Sequence, residues 1–221
     1  MKTKKMDILY EDKYLIIINK PSNLLTISTE KEKENTLYHK VFDYLKKKNK
    51  NNKVFIVHRL DKDTSGIVVF AKDPKTKLFM QDNWDKFKRR YVAVVEGKVK
   101  DNKGVLKNYL METKTHYTYS VNDEGGKLAI TEYEKVLENK KYTMLSLNLK
   151  TGRKNQIRVQ LSNMGNPIVG DKKYGSKKDP IRRMALVANY LSFTHPKTKE
   201  NITLDIDIPD EIVKLVKNDV K

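Results

Sequence analysis

Residues 55–71 read FIVHRLDKDTSGIVVFA, and the fold class follows from how this stretch is parsed. Residues 54–57 are short and apolar, and residues 67–71 are a β-branched run with the length and composition of a buried strand. Between them lies a polar turn closed by Gly66. Two buried strands therefore hold a charged loop at their ends, which is how a rigid scaffold presents chemical groups. The loop offers two carboxylates (Asp61 and Asp63), a cation (Arg59) and two hydroxyls (Thr64 and Ser65). On local sequence alone the plainer reading is stronger: Asp63-Thr64-Ser65-Gly66 also suits an ordinary hydrogen-bonded turn.

Outward from this core, residues 8–10 and 14–19 predict two strands joined by Glu11-Asp12-Lys13, with Lys20-Pro21-Ser22-Asn23 ending the second. Thr36 is placed to cap a helix over residues 37–47, whose apolar face is Leu37, Val41, Tyr44 and Leu45. The run KKKNKNNK at 46–53 reads as a solvated loop or one that touches phosphate. Asp73 and Pro74 open a second helix as N-cap and N1, expected to run through Trp84. Residues 91–96 alternate as a strand closed by Gly97. Residues 129–137 and 142–149 flank a hairpin turn. Residues 154–163 look helical, 185–193 and 202–208 are late strands, and 210–217 is a short amphipathic helix. Hairpins outnumber strand–helix–strand crossovers, so the expected class is α+β: a mixed, largely antiparallel sheet with flanking helices. With no repeat and no Pro- or Gly-rich linker, the chain is expected to be one catalytic domain over residues 1–221, with its core at 8–207.

The 221-residue chain carries 46 Lys and Arg against 28 Asp and Glu, a net charge of +18. Such a surplus predicts a polyanionic partner. Coding bias is the competing explanation, because 39 of the cations are Lys and Asn is frequent; bias alone, however, leaves Asp and Glu undiminished. There is no apolar run of the roughly 20 residues that a membrane helix needs. A basic start without an apolar stretch behind it is not a signal peptide, so the cytoplasm is the expected location. Zero cysteines exclude disulfides and thiolate metal sites. The four histidines show no metal-ligand spacing. Neither GxGxxG nor GxxxxGK[ST] occurs, so phosphate-loop chemistry is absent.

Two further segments carry candidate groups. KFKRRYVAVVEG at 86–97 leads basic residues into a strand, where Tyr91 is either core or a ring on which a base stacks. LKTGRKNQIRVQLSNMGNPIVGDKKYG at 149–175 sets Arg158 between apolar neighbours. Its guanidinium is therefore partly buried and needs an anion, supplied by a catalytic carboxylate or by an ordinary ion pair.

HRLDKDTSG at 58–66 resembles the HRLDxxTSG signature of the RluA-type pseudouridine synthases. The other blocks follow in family order: Asn19-Lys20-Pro21-Ser22 before it, then Arg90 to Gly97, Thr151-Gly152-Arg153 with Gln156 to Val159, Pro167 to Asp171 with Tyr174-Gly175, and Ala185-Leu186 leading to Leu191 through Pro196. The resemblance implies an isomerase acting on ribosomal or transfer RNA. It implies Asp61 as the catalytic aspartate, Tyr91 stacking on the target base and able to help remove the proton at carbon 5, and Arg158 pairing with Asp61. Arg59 matches the arginine that fills the gap left by a flipped nucleotide. His58, Thr64, Arg153, Gln156 and Leu186 are the remaining expected substrate-binding positions. No cofactor and no metal are expected, since the reaction moves no atom out of the molecule and changes no oxidation state. The expected protein is a monomer, without the S4-type domain many relatives carry at the N-terminus. Lys154, Asn155, Gln160, Asn166 and Val187 depart from the family pattern, and Asn23 stands where Gly is usual. Two readings from other classes stay open: a non-catalytic RNA-binding module on this fold, and a nuclease, which would want clustered carboxylates for metals.

Overall fold

LIIINK, residues 15–20, is apolar on both sides of the pleat, and its first four side chains are at most 1% exposed. A strand of that pattern is covered on both faces. In the computed structural model, which describes residues 6–30, 32–122 and 125–217, this strand lies within one of two compact units. One unit comprises Met1–Phe87 and Tyr190–Ile206; the other comprises Lys88–Asn189 and Asp207–Lys221. The class is α+β, mostly antiparallel, with four α-helices among the described residues.

In the first unit, β2 (Leu15–Lys20) pairs antiparallel with β1 (Ile8–Glu11) and with β4 (Ser65–Ala71), and the two-residue β3 (Phe55–Ile56) also pairs with β4. Leu15, Ile17, Ile67, Val69 and Ala71 on one face pack with Met80 of α2 (Pro74–Asp82) and with Leu191 and Phe193. On the other face, Phe70 meets Tyr38 of α1 (Leu37–Lys48), with ring centroids 6.5 Å apart. Thr36 caps α1 as expected, its hydroxyl accepting from the His39 N–H, and Asp73 caps α2 over Thr76. The second helix stops at Asp82, two residues short of the expected end. Trp84 instead enters a 3-10 turn, where its ring stacks at 4.0 Å on His58. The basic run expected as a loop at 46–53 begins inside α1, whose last turn holds Lys46 to Lys48, and only its remainder is a turn: Asn52 Nδ2 donates to Leu45 O, and Lys46 Nζ to Lys50 O.

The second unit is an antiparallel series of β5 (Lys88–Glu96), β9 (Tyr142–Leu149), β8 (Lys127–Glu138), β6 (Lys103–Glu112) and β7 (Thr118–Val121). The last two strands are absent from the expected elements. β6 alternates, but of its outward side chains Val105 is 62% exposed and Met111 38%, so it lacks the apolar density that marks β2 or β4. Helix α3 (Gln156–Asn163) packs on this sheet through Val159, against Leu110 and Ala129. Helix α4 (Asp210–Lys217) is held where Asn139 Nδ2 donates to Leu215 O. Strand β10 (Leu186–Thr194) passes from the second unit into the first, where its end pairs with β11 (Asn201–Asp205).

Candidate active site

His58, Arg59, Asp61 and Thr64 share the loop between β3 and β4, in the first unit. The segment leaving β2 grips that loop by its backbone. Lys20 is fully buried, and its ammonium donates to three carbonyls: Pro21 at 3.0 Å, Leu24 at 2.7 Å and Lys62 at 3.0 Å. Ser22 Oγ donates to Asp63 O at 2.7 Å, and Thr26 Oγ1 to Leu60 O at 2.7 Å. The Thr64 N–H closes a turn onto Asp61 O. Gly66 then enters β4 at φ +121°, a conformation that L side chains rarely adopt. Asn23 turns the gripping segment at φ +63°, where Asn substitutes for Gly with little strain.

Asp61 is half-buried and Arg59 is exposed, while Thr64 is buried. His58 is fixed by its neighbours: its Nε2 accepts the Val69 N–H at 3.1 Å, which makes Nδ1 the protonated nitrogen, and Trp84 covers one face of the ring.

Tyr91, Arg153, Gln156, Arg158 and Leu186 lie in the second unit. Tyr91 is half-buried on β5, opposite Leu147. Arg153 is exposed, and its Nε donates to Leu128 O. Gln156 is 2% exposed, with both ends of its amide engaged in the interior. Its oxygen accepts from Thr151 Oγ1 and the Arg153 N–H; its nitrogen donates to Ile130 O and Thr131 Oγ1. Gln156 thus serves the turn that carries Arg153. Leu186 is buried at the start of β10.

Arg158 has an elaborate setting. Its Nε and Nη2 donate to the two oxygens of Asp171, each at 2.7 Å, in a bidentate pair whose side chains are 8% and 1% exposed. Nη1 donates to Asn155 Oδ1, and the guanidinium lies 4.9 Å from the centre of the Tyr174 ring. Asn155 Nδ2 in turn donates to the Tyr174 hydroxyl, which burial pushes above its ordinary value of 10. Asn155 sits in the left-handed region at φ +53°, so α3 begins after it and its side chain can reach both partners. That explains the helix start two residues later than the sequence suggests. Asp171 follows Gly170, at φ +82°, where a Cβ would stand 2.2 Å from Arg183 O; only glycine fits.

Sequence reading singled out neither Asp171, Asn155 and Tyr174 as partners of Arg158, nor Thr26 as a holder of the Asp61 loop. Asp171 and Tyr174 lie inside a recognised block, but nothing in their spacing names Arg158. Three positions that depart from the family pattern have structural partners: Gln160, buried, donates through Nε2 to Leu106 O and Ala129 O, Asn166 Nδ2 donates to Glu96 O, and Lys154 pairs with Glu112 at the surface. Among the described residues there is no group of three or more His, Cys, Asp or Glu able to hold a metal ion. No helix among the described residues is long and apolar enough to cross a membrane.

The order of the sequence blocks is that of an RNA-modifying isomerase, and the similarity to known proteins bears it out. Residues 14–163 match the RNA pseudouridylate synthase family, and the chain belongs to that family. It is 35% identical to the uncharacterized RNA pseudouridine synthase YhcT of Bacillus subtilis, over 96% of this chain and 71% of that protein. It is 32% identical to the ribosomal large subunit pseudouridine synthase D of Haemophilus influenzae, over 96% and 70%. Among solved structures, human RNA pseudouridylate synthase domain containing 1 shares the fold with a TM-score of 0.75 at 21% identity, covering 99% of this chain and 90% of that one.

Proposed function

We propose that this enzyme converts uridines in folded ribosomal or transfer RNA to pseudouridine in the cytoplasm, working as a monomer through a single catalytic domain, with Asp61 as the catalytic carboxylate. The observation that carries the assignment is the loop itself: three side chains of the preceding segment hold its backbone, and Asp61 stands in its middle. Tyr91 is assigned the ring against which the target base stacks. Arg158 is assigned the cation that keeps Asp61 ionised, since burial alone pushes a carboxylate towards its neutral form. Arg59, exposed on the same loop, is assigned the gap left by the displaced nucleotide, and His58, Thr64, Arg153, Gln156 and Leu186 support or contact the substrate.

The reaction breaks the bond from base nitrogen 1 to the ribose, turns the uracil and rejoins it through carbon 5. The proton of carbon 5 leaves, and nitrogen 1 gains one. A carboxylate serves this either as a nucleophile or as a base at the 2-prime carbon, and we favour the base. The target must leave its stack, at a cost of about a few kcal/mol. Phosphate contacts from a chain of net charge +18 offset that cost. The homology to an enzyme named for the large ribosomal subunit favours ribosomal RNA as substrate. Mapping pseudouridine in total RNA with and without the gene tests this: loss of one or a few sites in ribosomal or transfer RNA is expected, and an unchanged map refutes it.

A further inference from the structure

Two hydrogen bonds join the backbone of Leu60, the residue before Asp61, to one hydroxyl. Thr26 Oγ1 donates to Leu60 O at 2.7 Å and accepts from the Leu60 N–H at 3.2 Å. Thr26 is 1% exposed and Leu60 7%. The Leu60 carbonyl belongs to the peptide plane that leads into Asp61, so fixing it fixes that plane. The plane on the far side is fixed as well, because Asp61 O accepts the Thr64 N–H at 3.2 Å. With both flanking planes held, the direction in which Asp61 projects from the backbone is set.

Thr26 is itself anchored. Its carbonyl accepts the Tyr38 N–H at 3.0 Å, and the Leu25 carbonyl accepts the Leu37 N–H at 2.8 Å. These donors belong to the first turn of α1, whose leading N–H groups have no partner inside the helix. Rigidity thus passes from the start of α1 to Thr26, from its hydroxyl to Leu60, and from Leu60 to Asp61.

We propose that Thr26 is a positioning residue for pseudouridine formation: its hydroxyl fixes the Leu60 peptide and so sets where the Asp61 carboxylate stands. The proposal rests on the reading of Asp61 as the catalytic carboxylate. A displacement of the order of 1 Å at a catalytic group costs about 100-fold in rate, so the hydroxyl acts on turnover rather than on RNA affinity.

The test uses the full chain and total cellular RNA carrying 5-tritiated uridine, from a host lacking the gene. Single-turnover tritium release and RNA affinity are measured for wild type, Thr26→Val, Thr26→Ser and Asp61→Asn. Thr26→Val keeps the side-chain shape without the hydroxyl; its rate is expected to fall by about 10- to 100-fold with affinity within about twofold. Thr26→Ser restores the hydroxyl and is expected to recover the rate to within about threefold of wild type. If Thr26→Val is insoluble, Thr26→Cys replaces it, its weaker donor giving a rate below that of Thr26→Ser. A wild-type rate in Thr26→Val, or in the Cys variant replacing it, beside an inert Asp61→Asn overturns the positioning role and leaves the Asp61 reading standing. Equal losses of rate and affinity in the Val or Cys variant also overturn it, as general damage to the fold. A wild-type rate in Asp61→Asn instead removes the reading of the site, and the proposal with it.

Discussion

The loop of Asp61 and the start of the helix bearing Arg158 are held in place by opposite means. At the loop, neutral hydroxyls and a buried ammonium grip backbone carbonyls, at Leu60, Lys62 and Asp63. At the helix, side chains grip the side chain: Asp171 takes two nitrogens on one edge of the guanidinium, Asn155 the third nitrogen, and Tyr174 its face. A short carboxylate projects little beyond its own backbone, so fixing the backbone fixes the group. A long guanidinium has several rotatable bonds, so only contacts at its far end can localise it. The difference also sorts the energies. Charged, buried contacts, that of Lys20 at the loop included, are costly to break from one side, whereas the neutral hydroxyl bonds to carbonyls are each worth little.

The largest separation between the two regions is expected at Asp171. Asp171→Asn strips the charge from one side of a buried bidentate pair, for an expected loss of about 3–5 kcal/mol in urea unfolding. Arg158→Ala, by comparison, should lower turnover more than RNA affinity, and an equal fall in both would make Arg158 a plain RNA contact.

A charged network at the protein surface falls in between. Glu11, in the same unit as the loop, accepts from Lys72, Lys48 and Tyr44. Burial raises its carboxyl, but those hydrogen bonds outweigh burial and bring it from 4.5 to about 2. A folded-state value below the unfolded one adds stability above about pH 5, lost as the pH falls towards 2. Lys48 is half exposed, so solvent screening reduces the contribution to about 1–2 kcal/mol. Glu11→Gln should be less stable than wild type at pH 7, and the gap should narrow below about pH 4.5 and close only as the pH falls to about 2 and below. A gap that keeps its pH 7 size at about pH 2 would show that the network does not depend on the carboxylate's charge.

The smallest effect is expected at Ser22. Ser22→Ala removes one neutral bond to Asp63 O, for about 1 kcal/mol. A loss as large as that at Asp171 would erase the contrast between the two regions.

Much of this was legible in the sequence, for identifiable reasons. β9 and α4 fall on residues 142–149 and 210–217 as read, because a tight turn and a strong apolar stripe delimit them. The caps at Thr36 and Asp73 were legible because a cap is a local hydrogen bond. β6 and β7 were not, since they leave Val105 and Tyr119 exposed and carry little apolar signal. The division into two compact units was hidden too: each is assembled from segments far apart in the chain, with no linker composition to mark them. Among the candidate residues, Asp61 and Arg158 stand in recognisable blocks. Thr26 does not, because its partner lies 34 residues away and is a backbone group, which leaves no trace in side-chain spacing.

The most direct test of the account is made on Asp61, with turnover and affinity measured on the same RNA. Asp61→Asn keeps the side-chain size and removes the carboxylate. It should release no tritium from 5-tritiated uridine RNA above background, while binding that RNA within about threefold of wild type, since phosphate contacts elsewhere supply most of the affinity. Tritium release at the wild-type rate would contradict the account and return Asp61 to the role of a turn residue.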